Sequence, residues 1–135
     1  MNTKSSLIRN SKQVRQSIDF TGIQNANIYP SDIDAVLEFD NDVLILIEVK
    51  RRYNKIPIGQ LLMLQRICDS WRNSKSVVLK VWHEFDDDDK DIPLSMCFVD
   101  SVYHCGIWFD KKNNIPLVSY LNKLGEEFNC KKCKF

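Results

Sequence analysis

Residues 43–50, VLILIEVK, form an apolar run that ends in an acid and a lysine, and only Asp40, Asn41 and Asp42 separate it from the alternating stretch 31–39. β-Branched and leucine side chains on either side of a short polar loop specify an antiparallel hairpin. Side chains alternate along a strand, so Val43, Ile45, Ile47 and Val49 share one face, and Glu48 and Lys50 share the other. Pairing Phe39 with Val43 places Asp34 opposite Glu48, because each lies five residues from that pair. Directly opposed like charges cost a few tenths to about 1 kcal/mol. A hard divalent cation held between the two carboxylates removes that cost.

Asp34, thirteen intervening residues, then Glu48, Val49 and Lys50 resemble the active-site signature of the PD-(D/E)xK nuclease superfamily. The resemblance spans about residues 15–85. It implies that Asp34 and Glu48 bind Mg2+ or Mn2+, that the Val49 carbonyl adds a ligand, and that Lys50 sits near the attacking water. The implied chemistry is hydrolysis of phosphodiesters, with DNA as the expected nucleic acid. Gln60 is similar to the glutamine that several branches of the superfamily carry on the next helix, while Leu64 stands where a tyrosine often follows. The implied fold is α/β, a restriction-endonuclease-like core with a mixed central sheet flanked by helices in αβββαβ order. A single domain over 1–135 is expected, its core at about 5–85 and a strand-strand-helix extension at about 92–130.

The chain's local patterns fit that order. Leu7, Ile8, Ser11, Val14 and Ile18 recur at helical spacing before Gly22, and residues 23–29 can make a first strand stopped by Pro30. Pro57 suits the first turn of a helix whose stripe would be Ile58, Leu61, Leu62, Gln65, Cys68 and Trp71. Residues 77–85 read as a strand, followed by an acidic run from Asp86 to Asp91 broken only by Lys90, too charged to pack. Residues 94–99 and 102–109 read as two more strands separated near Asp100 and Ser101. Pro116 then opens a helix with Leu117, Leu121, Leu124 and Phe128 on one side.

A chain of 135 residues, 44% hydrophobic, can bury one core and leaves no room for a multidomain enzyme. With a net charge of only +1, contact with a polyanion must come from local patches. Arg51, Arg52 and Lys55 flank the acid pair and are the expected nucleic-acid-binding residues; Lys4, Arg9, Lys12 and Arg15 form a second basic group. A polar beginning and the lack of any apolar run near membrane-spanning length point to a cytoplasmic protein with no membrane partner. Five cysteines in such a setting are expected as thiols. Cys130 and Cys133 have metal-ligand spacing, and a zinc site there would draw on Cys97, His104 or Cys105. His83 and His104 sit in apolar strand-like sequence and read as structural.

Phosphodiester hydrolysis asks for an acidified water, relief of negative charge on phosphate and help for the leaving oxygen. A carboxylate-held cation suits the first two, and the Lys50 ammonium suits orientation of water and charge relief. Gln60 can orient Lys50 or a water without changing the site's charge, and Asp32 is an outer ligand or a turn cap. The competing expectation is a catalytically silent protein of the same fold that binds nucleic acid or inhibits a host nuclease. Either suits a phage or mobile-element protein, and a homodimer would supply a second cut.

Overall fold

The structure, a computed structural model, describes residues 17–87 and 90–135. The described residues fall into two units, divided between Asp32 and Ile33.

The described part of the first unit, residues 17–32, is built from turns. Asp19 Oδ1 accepts the Thr21 amide at 2.9 Å and the Thr21 hydroxyl at 2.6 Å. Asn25 and Ile28 exchange both backbone hydrogen bonds around Ala26, whose φ is 53°. That tight reversal replaces the strand expected over residues 23–29, because two asparagines flanking a left-handed residue close the chain on itself. The expected first helix lies outside the described residues, apart from Ile18, which is non-helical and exposed.

The second unit is a mixed five-stranded sheet in the order β1-β2-β3-β4-β5, with one helix on each face. Strands β1 (Ala35–Phe39) and β2 (Val43–Arg51) form the expected antiparallel hairpin in the expected register, Phe39 against Val43. Asp40 and Asn41, at φ 53° and 60°, turn the chain, since these side chains tolerate the left-handed region better than most. β3 (Ser76–His83) runs parallel to β2, which requires a crossover, and helix α1 (Ile58–Asp69) supplies it. β4 (Phe98–His104) and β5 (Ile107–Pro116) complete an antiparallel meander, and helix α2 (Leu117–Glu127) follows.

α1 packs Leu64 and Cys68 on Leu44, Leu46, Val78 and Tyr103. α2 packs Leu117, Tyr120, Leu121 and Leu124 on the opposite face, which Val43, Ile45 and Ile47 share. Strands covered on both faces must be apolar on both, and β2 is buried without interruption from Val43 to Glu48. Each buried aliphatic side chain here contributes about 1.5–3 kcal/mol.

Several expected boundaries shift. α1 turns its Leu64–Cys68 stripe inward, and Ile58 and Leu62 are exposed at 75% and 38%. Residues 94–96 form a 3-10 turn, not a strand. Asp100 and Ser101 lie inside β4 at a bulge; the reversal into β5 comes at Cys105 and Gly106, at φ 49° and 84°. Among the described residues no helix is long and apolar enough to cross a membrane.

Candidate metal-binding acid pair

The α1 face of β2 carries Leu44 and Leu46 under the helix, then Glu48 and Lys50 beyond its first turn. Glu48 is 1% exposed. Lys50 Nζ lies 3.2 Å from Glu48 Oε2, while Glu48 Oε1 is buried without a hydrogen-bond donor, alone in this among the described residues.

Asp34 sits in the bend just before β1, exposed, and its Oδ2 accepts the Val49 amide at 2.8 Å. The Leu44 and Arg52 amides donate to Lys75 and His83 on the β3 side, so even-numbered residues of β2 bond towards β3 and odd-numbered ones towards β1. The Val49 carbonyl therefore faces the side on which Asp34 lies. Burial first, and the Asp34 charge second, push the Glu48 carboxyl above its ordinary value, with Lys50 pulling part of the way back.

The arrangement fits a cation of the magnesium type. Mg2+ is held by one or two carboxylates and completes its shell with water and phosphate oxygens. Among the described residues no group of three His, Cys, Asp or Glu is placed around a common point, so the protein's acidic contribution here is the Asp34–Glu48 pair. A buried anionic oxygen without a donor is the atom such a cation would satisfy.

Gln60 stands half-buried in the first turn of α1, one helical turn before Leu64 and on its side of the helix. Asp32 closes the preceding unit. Of the flanking cations, Arg51 is bound to Asp86 and the Phe85 carbonyl, and Arg52 to Glu84 at 3.0 Å. Lys55 is exposed and has no ion-pair partner among the described residues. The acidic run thus answers the chain's own cations in part, with Asp86 on Arg51 and Asp87 3.6 Å from Lys90. The group from Lys4 to Arg15 lies outside the described residues.

His83 is buried, and its Nδ1 accepts the Phe85 amide at 3.1 Å. The Cys133 thiol is buried, donates to the Leu121 carbonyl at 3.2 Å, and is pushed up by burial. Of the expected further zinc donors, Cys97 donates to the Pro93 carbonyl at 3.7 Å, His104 Nδ1 lies 3.1 Å from the Ser76 carbonyl, and the exposed Cys105 thiol is 3.4 Å from His104 Nε2.

Lys80 is a site residue that the sequence reading missed. It is the direct partner of Glu48 in the β2–β3 register and therefore shares its face. Its ammonium lies 3.5 Å from Asp100 Oδ2. A lone lysine within SVVLKVWH was the available signal, since an otherwise apolar strand rarely admits one without a partner.

Comparison with family models, with curated proteins and with solved structures finds no significant match to this chain.

Proposed function

We propose that the chain is a metal-dependent nuclease with a PD-(D/E)xK-type site in a restriction-endonuclease-like core, acting on DNA in the cytoplasm. The observation that carries this reading is the buried Glu48 oxygen without a donor, set beside a second carboxylate and 3.2 Å from a lysine on the other oxygen. A structural ion pair alone would not need Asp34 there, because the second acid makes the buried charge more costly.

Asp34 and Glu48 would hold Mg2+ or Mn2+, with the Val49 carbonyl on the same side. A bound divalent cation supplies acidified water and charge relief on a phosphate oxygen. The Lys50 ammonium orients water against the phosphate and offsets negative charge as it develops. Glu48, held at the end of a buried strand, fixes Lys50 in that position. Gln60 contributes a neutral donor and acceptor from the helix end nearest the site. Exposed Asp34 leaves the entrance open on the β1 side, where substrate and cation can arrive.

The test is hydrolysis of bis(p-nitrophenyl) phosphate and of single-stranded and duplex DNA with Mg2+ or Mn2+. The expected result is turnover that EDTA abolishes and that Glu48→Gln lowers at least about 100-fold. Turnover unchanged by EDTA would overturn the reading. The engagement of Glu48 Oε2 by Lys50 is what favours the silent alternative, a binding or inhibitory protein of this fold; it predicts nucleic-acid binding without turnover in any divalent metal.

A further inference from the structure

Past the acid pair, the same face of the sheet carries a row of aromatic residues. The register aligns Lys50, Trp82 and Phe98 in one row and Glu48, Lys80 and Ser101 in the row beside it. The Trp82 and Phe98 rings stack at 4.8 Å. The Arg52 guanidinium lies 4.3 Å from the Trp82 ring centre and 5.1 Å from that of Tyr53.

Tyr53 is the unusual member. It is 85% exposed and sits at φ 73°, in a turn closed by the Asn54 amide on the Arg51 carbonyl at 3.0 Å. A bulky aromatic side chain at positive φ is a backbone outlier, and glycine or asparagine would fill that position with less strain. The strain is not offset by burial, so the ring's use must lie in solvent.

A cleft of about 240 Å³ opens between Arg52, Tyr53 and Trp82 on one side and Asp110, Lys112 and Asn114 of β5 on the other. A second cleft, about 350 Å³, shares Asp110 and includes Lys55, Lys80, Ile58 and Trp108. Together they run across the strands from Lys80, the register partner of Glu48, and Trp82 to β5, a distance of two strand spacings or roughly 10 Å. The exposed Tyr53 ring beside cations suits an unpaired base, which stacks without regard to sequence while lysines meet the phosphates. A duplex hides its base faces, and the carboxylates of Asp100 and Asp110 make this a poor surface for two phosphate backbones.

We infer that this trough binds single-stranded nucleic acid, stacking an unpaired base on Tyr53 and the Arg52–Trp82 pair, with Lys55, Lys80 and Lys112 meeting phosphates; as the substrate form of the neighbouring site, it rests on the nuclease reading. Arg52 can exchange Glu84 for a phosphate at little cost, because exposed ion pairs contribute only about 0–1 kcal/mol.

The experiment measures fluorescence anisotropy of a labelled oligothymidine, an abasic strand of equal length and a duplex, with Ca2+ present. Wild-type protein should bind the oligothymidine roughly tenfold more tightly than the abasic strand or the duplex. Tyr53→Gly should lose that tenfold preference, keep the abasic affinity and melt at a higher temperature. A merely structural tyrosine would not move affinity and stability in opposite directions. Oligothymidine affinity unchanged in Tyr53→Gly, or equal wild-type affinity for all three probes, overturns the inference. Base-selective binding without cleavage in Mg2+ or Mn2+ upholds the trough and removes the hydrolase reading; metal-dependent cleavage without base preference does the reverse.

Discussion

The Val49 amide donates a 2.8 Å hydrogen bond to Asp34 Oδ2, so the residue between the second acid and the lysine also fixes the first acid. Asp34 precedes β1 and has no strand neighbours to hold it, which makes that bond its anchor to β2.

Asp34→Asn keeps an oxygen for the Val49 amide, and Asp34→Ala does not. Both should lower metal-dependent hydrolysis at least about 100-fold. Only the alanine variant should lose folding stability from the missing bond, by about 1 kcal/mol in denaturant titration without metal. Equal unfolding midpoints for the two variants would show that the bond contributes nothing.

Glu48 gives the apoprotein a pH dependence of definite sign. Its folded-state pKa is raised, so the native chain keeps a proton that the unfolded chain has already released. The resulting stability is full below the ordinary glutamate range and is lost as pH rises through the raised value. Glu48→Gln should flatten that slope in thermal melts without metal. Divalent-metal affinity should rise over the same interval, because binding needs the carboxylate.

Lys50→Met removes the cation nearest Glu48 and leaves a buried acid beside Asp34. We expect a loss of about 1–3 kcal/mol at neutral pH, smaller at acid pH where Glu48 is protonated. Hydrolysis should fall at least about 100-fold, and Lys50→Arg should recover stability more fully than rate.

The basic residues should divide by their present partners. Arg51 and Arg52 already face Asp86 and Glu84, whereas Lys55 lacks an ion-pair partner among the described residues and Lys112 lines the trough. Lys55→Gln and Lys112→Gln should each lower the salt slope of single-strand binding by about 0.7, and Arg51→Gln should leave it nearly unchanged. Titrations at several salt concentrations decide this.

Gly125 of α2 has no room for a side chain, because a Cβ there would overlap the Cys133 carbonyl oxygen. The Gly125 carbonyl also accepts the Cys130 amide at 2.7 Å. Gly125→Ala should cost about 1–3 kcal/mol in denaturant unfolding by forcing the C-terminal turn off the helix. The Cys133 amide donates to the Cys130 carbonyl at 3.2 Å, so both cysteines lie in that turn.

The β1–β2 register was legible because alternation and a three-residue polar loop leave one pairing that buries Val43, Ile45 and Ile47 together. The Asp34–Glu48–Lys50 grouping follows from that register by counting. The β4–β5 turn was not legible in the same way. Asp100 and Ser101 have turn chemistry, yet the neighbouring strands and Lys80 hold them in the sheet, while Cys105–Gly106 provides the reversal. The helical pattern predicts a stripe of Ile58, Leu61, Leu62, Gln65, Cys68 and Trp71, which a helix packed along its whole length would bury. Here the first turn overhangs the polar row and borders a cleft, so core packing begins only at Leu64. Tyr53 and Trp82 carried no sequence signal, since their convergence on Arg52 depends on a turn conformation that tyrosine disfavours.

The bulge at Asp100 changes the parity of β4. Val99 and Val102 both point into the α2-side core although they are three residues apart, an odd interval that regular alternation forbids. Asp100 is the extra residue, and the bulge absorbs it so that Ser101 still aligns with Lys80 and Phe98 with Trp82 on one face, with the Asp100 carboxylate 3.5 Å from Lys80. Deleting Asp100 would mend the ladder and keep both faces, because Val99 and Val102 would then stand two residues apart, but it would remove the carboxylate that answers Lys80. The irregularity in the ladder therefore gives the working surface an acid for Lys80 without turning over either end of the strand.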